Sequence, residues 1–177
     1  MTKVPGTMNV FLLLGYIACI PIANWMIGHI GHCIPNGPCL IPVGFGLDAP
    51  SGVTIIGLAL VLRDLVQFRM GRRAGLLAIV AGAGVSAFIA PPALVIASAI
   101  AFLFSELADF AVYTPLQKRG LIKAVIASSM VGLVVDSLLF LWLAFHTFDH
   151  IAGQIVGKSW GVLFAAIAIS LIRRRLA

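Results

Sequence analysis

The sequence predicts an all-α integral membrane protein, a bundle of six transmembrane helices with both termini in the cytoplasm, and three observations carry that prediction. The chain of 177 residues is 61% hydrophobic and 10% charged, with a mean hydropathy of +1.10. That is too little polar surface to cover a water-soluble globule. The apolar residues also fall into six stretches near the length of about 20 residues that crosses roughly 30 Å of hydrocarbon. Finally, of the 12 Lys and Arg residues, all but Arg63 and Lys158 lie in alternate connections: Lys3; Arg69, Arg72 and Arg73; Lys118, Arg119 and Lys123; and Arg173, Arg174 and Arg175. The intervening segments, 28–50, Pro91 with its neighbours and 146–151, contain none. The positive-inside rule therefore places both ends of the chain inside and supports an even number of spans. The net charge of +6 comes from these clusters, which form no continuous basic face, so nucleic acid is not an expected partner and the lipid bilayer is.

The expected spans are 8–27, 51–68, 74–90, 92–113, 121–145 and 152–172, within a single transmembrane domain covering 1–177. The first is apolar from Val10 to Ile22 and continues through Trp25 and Met26. No small-residue cleavage site follows it, so it reads as a span and not as a signal peptide. Gly28–Pro50 is rich in proline and glycine, which breaks regular helix, and is expected to be an outer loop. His29, His32, Cys33 and Cys39 in that loop have the atoms for zinc. Their spacing matches no standard finger, so no metal is assigned. Cys33 and Cys39 are also the pair able to form a disulfide on an oxidising face, Cys19 lying inside the first span.

The second span carries Arg63, Asp64 and Gln67, with Arg63 and Gln67 one turn apart and Asp64 about 100° round the helix. In the third, Ala78, Gly82 and Ser86 recur every four residues, a small-residue stripe for close helix packing. Pro91 and Pro92 end that span and predict a tight outer turn. In the fourth, Phe102, Glu106, Asp109 and Tyr113 share one helical face, which is expected to look inward. In the fifth, Ser129, Gly132 and Asp136 form a similar stripe, with Phe140 a turn further and Trp142 on a different side. The sixth places Gln154 and Lys158 one turn apart.

Six charged residues thus lie inside spans, where each costs about 2.5 to 3.5 kcal/mol by insertion scales. A sum on the order of 15 to 20 kcal/mol exceeds the usual net stability of a folded protein. The groups must therefore pair or be hydrated, and four helices that offer polar groups to one interior point to a site for a small polar solute. No metalloprotease, serine-hydrolase or P-loop motif is present, so the chain is not expected to be an enzyme or its own ATP-driven motor, and no cofactor is assigned.

The stretches Leu62 to Gln67 followed by Gly71, Arg72 and Arg73, Glu106 to Leu116, and Val135 to Leu143 resemble the vitamin uptake transporter family, as does Gln154 with Gly157 and Lys158. The characterised branch of that family comprises the queuosine precursor transporters. The resemblance implies a six-helix carrier of the bacterial inner membrane that imports 7-deazaguanine bases such as preQ0 and preQ1. A guanine-like edge offers an N1–H and an exocyclic amine that one carboxylate can accept together. For that role Glu106 is the first candidate and Asp136 the second. Lys158, Gln154 and Arg63, with Asp64 beside it, are the candidate donors and charge partners, Phe102, Phe140 or Trp142 the aromatic face, and Tyr113 a further site candidate. Asp109 is available for the primary amine of preQ1. The alternatives are a substrate-binding subunit of an ATP-energised uptake complex, whose partner would supply the P-loop, and an intramembrane enzyme using the buried acids. A homo-oligomer is compatible with each of these readings.

Overall fold

A computed structural model describes residues 6–35, 37–89 and 94–176. Six long helices follow one another: α1 (Gly6–His29), α2 (Val53–Met70), α3 (Arg72–Ile89), α4 (Val95–Leu116), α5 (Leu121–Phe145) and α6 (Ile151–Leu176). A single 3-10 turn, Gln117–Arg119, links α4 to α5. The turn expected at Pro91 and Pro92 lies outside the described residues. Among the described residues five helical segments are long and apolar enough to cross a bilayer: Met8–His29, Arg72–Ile89, Val95–Arg119, Leu121–Phe145 and Ile151–Ile172.

The helix left out is α2, and its place in the bundle explains why. It packs against all five of the other helices, and Arg63, Asp64 and Gln67 are buried on it. What sets α2 apart is charge, with Arg63, Asp64 and Arg69 among its 18 residues, and a helix enclosed by others buries Arg63 and Asp64 without exposing them to hydrocarbon.

The Gly28–Pro50 loop is non-helical, as expected, but is not irregular throughout, which adds a small sheet to the helical bundle. Three antiparallel strands, β1 (His32–Cys33), β2 (Cys39–Gly44) and β3 (Leu47–Pro50), form a small sheet in the order β1-β2-β3. The proline and glycine signals that argue against helix sit where a sheet tolerates them. Pro42 lies at an irregularity in the β2–β3 register, a place where proline can enter a sheet. Phe45 and Gly46, both at positive φ (57° and 71°), make the two-residue connection, the conformation that primed hairpin turns require. Cys33 and Cys39 oppose each other in register and are disulfide-bonded. The sheet is fastened to the bundle: the Trp160 indole N–H donates to the Val43 carbonyl at 2.9 Å. The Ser51 hydroxyl donates to the Met26 carbonyl at 2.5 Å, and Val43, Ala49 and Val53 form a small apolar cluster.

Two larger apolar clusters hold the helices. One joins Leu60, Tyr113, Leu133 and Val162, from α2, α4, α5 and α6. The other joins Tyr16, Ile20, Val66, Ala78 and Phe102, from α1 to α4. The small stripe of α3 is buried as expected, with Gly82 beneath the Phe102 ring and the Ile20 side chain. The α2–α6 crossing is closer still: a Cβ on Gly57 would collide with the Lys158 carbonyl, and one on Gly161 with the Thr54 carbonyl. That approach carries Lys158 into the interior. The strands lie at one end of the bundle. The connections with Arg69, Arg72, Arg73, Lys118, Arg119 and Lys123 lie at the other, as the alternation of helices requires.

Candidate functional site

All six charges of the expected spans are buried, and the fold sorts them into two groups. The first is centred on Arg63, which has no exposed surface. Its Nε donates to Glu106 Oε2 at 2.9 Å and one terminal nitrogen to Gln67 Oε1 at 3.0 Å. The same nitrogen is 3.0 Å from Asp64 Oδ1, and the other pairs with Asp109 Oδ1. The predicted α4 face is therefore inward, and its residues Glu106 and Asp109 grip a single guanidinium. Asp64, although off the Arg63–Gln67 stripe, is buried too, because its Oδ2 accepts the Ser128 hydroxyl of α5 at 2.8 Å. Gln67 continues the network by donating to the Thr114 hydroxyl at 3.1 Å. The rings of Phe110 and Tyr113 lie 5.8 Å from the guanidinium carbon, within cation–π range. The planar fork of arginine suits such divergent partners better than lysine would. One cation against three carboxyls makes this a sealed electrostatic knot between α2, α4 and α5.

The second group lies nearer the strand end and is open. Lys158 Nζ sits 2.7 Å from Asp136 Oδ2, donates to the Ser137 hydroxyl at 2.8 Å and also bonds Gln154 Oε1. Ser137 in turn donates to the Leu133 carbonyl at 2.7 Å, which fixes it. The other oxygen of Asp136 has only the Ser105 hydroxyl nearby, at 3.5 Å, the outer limit of a hydrogen bond. Asp136 and Lys158 border a cavity of about 60 Å³ that is open at its mouth. Phe102, Phe140, Gln154 and Ser98 line it as well, and Ser51 and Gly52, after β3, form part of its wall.

Of the residues singled out from the sequence, Asp136, Lys158, Gln154, Phe102 and Phe140 thus share a cavity. Glu106, Asp109, Arg63, Asp64 and Tyr113 do not line it; they make the network beneath. Glu106, placed first by sequence, has its carboxylate committed to Arg63, and Asp109 likewise. Trp142 is half exposed and stacks on Phe148 with centroids 5.6 Å apart, away from the cavity. Sequence reasoning missed Ser98, whose buried hydroxyl has no partner, and the serines that anchor the charges: Ser105, Ser128 and Ser137. A serine in an apolar helix ordinarily satisfies itself on the carbonyl one turn back, so its presence alone carries little signal. Among the described residues no group of His, Cys, Asp and Glu is arranged to hold a metal.

Residues 86–173 match the model of a family described as "Putative vitamin uptake transporter". The matched stretch runs from the end of α3 into α6 and includes Ser98, Phe102, Asp136, Phe140, Gln154 and Lys158. No curated protein and no solved structure matches the chain. The apolar helices define a multi-pass membrane protein, and the family match points to transport.

Proposed function

We propose that the chain is an inner-membrane importer of a small, planar, polar solute, with α2 as the sixth span, both termini cytoplasmic and the strand end outside. The resemblance to the queuosine precursor branch narrows the solute to a 7-deazaguanine base such as preQ0 or preQ1. The observation that carries this reading is the cavity at the strand end. There a carboxylate whose second oxygen has only the 3.5 Å Ser105 contact, an ammonium, an amide and two aromatic rings meet among apolar side chains and the polar groups of Asn24, Ser51, Ser86 and Ser98. Such a lining suits a flat ring with polar edges. On this reading Asp136 with Lys158 and Gln154 recognises the solute, and Glu106 and Asp109 hold α4 against Arg63 beneath it. The solute reaches the cytoplasm when the helices around this midplane group exchange outward- and inward-open packings.

Thermal unfolding of the purified protein in the presence of preQ0, preQ1, queuine and guanine tests the reading, because a ligand of the folded state stabilises it. A selective upward shift that is lost in Asp136→Asn is expected. The absence of a shift with every base, in folded protein, overturns the deazaguanine assignment. Binding without uptake into proteoliposomes assigns the chain instead to the binding subunit of an energised complex, and turnover of a base or lipid in detergent assigns it to an enzyme.

A further inference from the structure

We propose that Asp64 and Asp109 share one buried proton, which makes the Arg63 network a proton-binding site separate from the solute cavity. The charge count opens the case. Asp64, Glu106 and Asp109 surround a single guanidinium, and each is at most 1% exposed. With all three acids ionised, three negative charges against one positive would leave two uncompensated and out of reach of water, which a buried site does not sustain. Among the described residues no second cation closes that gap. The groups facing the two aspartates are Arg63 from α2, Glu106 and Tyr113 from α4, and Ser128 from α5. From α6 comes Lys158, which is bound to Asp136, and α3 carries only Arg72 and Arg73, both exposed. From α1 comes Tyr16, which has no charge to offer but a fully buried hydroxyl beside Glu106 with no settled partner. It is a donor in reserve for the negative charge that remains once one proton is bound.

The hydrogen bonds place the proton. Glu106 Oε2 and Asp109 Oδ1 each accept a guanidinium N–H. Asp64 Oδ1, although 3.0 Å from a guanidinium nitrogen, accepts no hydrogen bond, and neither does Asp109 Oδ2. The two aspartate side chains are within hydrogen-bond reach of each other. A pair of carboxylates has no donor to put between them, whereas a carboxyl and a carboxylate do, and like charges this close cannot both ionise. Asp64 is the acid that the guanidinium serves least, so it carries the proton and donates to Asp109. No water reaches the pair, so the proton exchanges only when the helices part. Ser105 and Glu106 are neighbours on α4: Ser105 lies 3.5 Å from Asp136, and Glu106 holds Arg63. A shift of α4 that reshapes the cavity therefore also draws Asp109 from Asp64 and lets the proton leave to water. The bound proton stands without the proposed function; its movement together with the solute rests on that reading.

Infrared spectroscopy of the full purified chain, with isotope-labelled aspartate carboxyls to assign the band, tests the site without any solute. At neutral pH the wild type is expected to show the C=O stretch of a protonated aspartate, and Asp64→Asn to lose it. Asparagine keeps an N–H donor for Asp109, so the thermal midpoint of that variant should stay near the wild-type value, whereas Asp64→Leu, with no donor, should lower it. Absence of the band in the wild type overturns the proposal, whether or not either variant folds, and so does a band retained in folded Asp64→Asn. Uptake of preQ0 into proteoliposomes tests the movement of the proton. An inward proton gradient is expected to raise the wild-type rate severalfold, and Asp64→Asn, which has no proton to release, to abolish that dependence. A rate indifferent to the gradient, with the band present, overturns the coupling and upholds the bound proton. Failure of every base to bind or enter overturns the proposed function, and the infrared band still decides the proton site.

Discussion

At the scale of single residues, the chain's buried charges are distinguished by how completely they are partnered. Arg63 is surrounded by Glu106, Asp109, Asp64 and Gln67 with no solvent contact. Removing one partner of a buried charge pair leaves the others uncompensated, which costs about 3 to 5 kcal/mol. Arg63→Met is therefore expected to lower the thermal unfolding midpoint in detergent sharply, or to prevent accumulation of folded protein. Arg63→Lys restores the charge but not the fork, and should recover only part of the loss. Asp136→Asn should cost less than Arg63→Met, because it strands one ammonium that keeps Ser137 and Gln154, whereas Arg63→Met strands three carboxyls. Comparing the midpoints of the three variants separates a structural knot from a ligand site.

At the scale of elements, the α2–α6 crossing is the contact that places Lys158, and glycine makes it possible. Adding a methyl at Gly57 drives it into the Lys158 backbone, with only rigid main chain to yield. Overpacking of that kind costs roughly 1 to 3 kcal/mol. Gly57→Ala is expected to lower stability by that amount and also to weaken ligand binding through displacement of Lys158. Gly84 on α3 is the matched control: a methyl there meets nothing within 4 Å. Gly84→Ala should leave stability unchanged or raise it by up to about 1 kcal/mol, from the higher helix propensity of alanine. Equal losses in the two variants would remove the crossing's special role.

At the scale of the whole molecule, the strands close one end of the bundle and the basic connections mark the other. If the positive-inside rule governs this chain, a membrane-impermeant maleimide applied to intact cells labels Phe45→Cys, at the exposed hairpin turn. It leaves Arg119→Cys unlabelled until the membrane is opened. The native Cys33–Cys39 pair should react from the same side as position 45, and only after reduction. Labelling of position 119 in sealed cells would invert the proposed topology and turn the cavity mouth toward the cytoplasm.

Hydropathy, proline positions and the alternation of basic clusters were enough to delimit the six helices, because burial in lipid and helix termination are local properties of a chain. Thus α5 occupies Leu121–Phe145, its expected bounds, and α4 turns Phe102, Glu106, Asp109 and Tyr113 inward, because helical spacing alone dictates a shared face. The strands of Cys39–Gly44 and Leu47–Pro50 were not legible, since proline and glycine mark broken helix equally well in a loop and in a bulged hairpin. Nor could spacing reveal that Arg63 takes Glu106 and Asp109 while Lys158 takes Asp136. Those partners lie 43, 46 and 22 positions apart (106 − 63, 109 − 63 and 158 − 136), on different helices. Which acid meets which base is a consequence of helix crossing and depth, governed by contacts such as Gly57 against Lys158. The chain by itself therefore determined that charge must be buried among these helices. Only the tertiary structure decided which charges neutralise one another and which carboxylate borders the cavity.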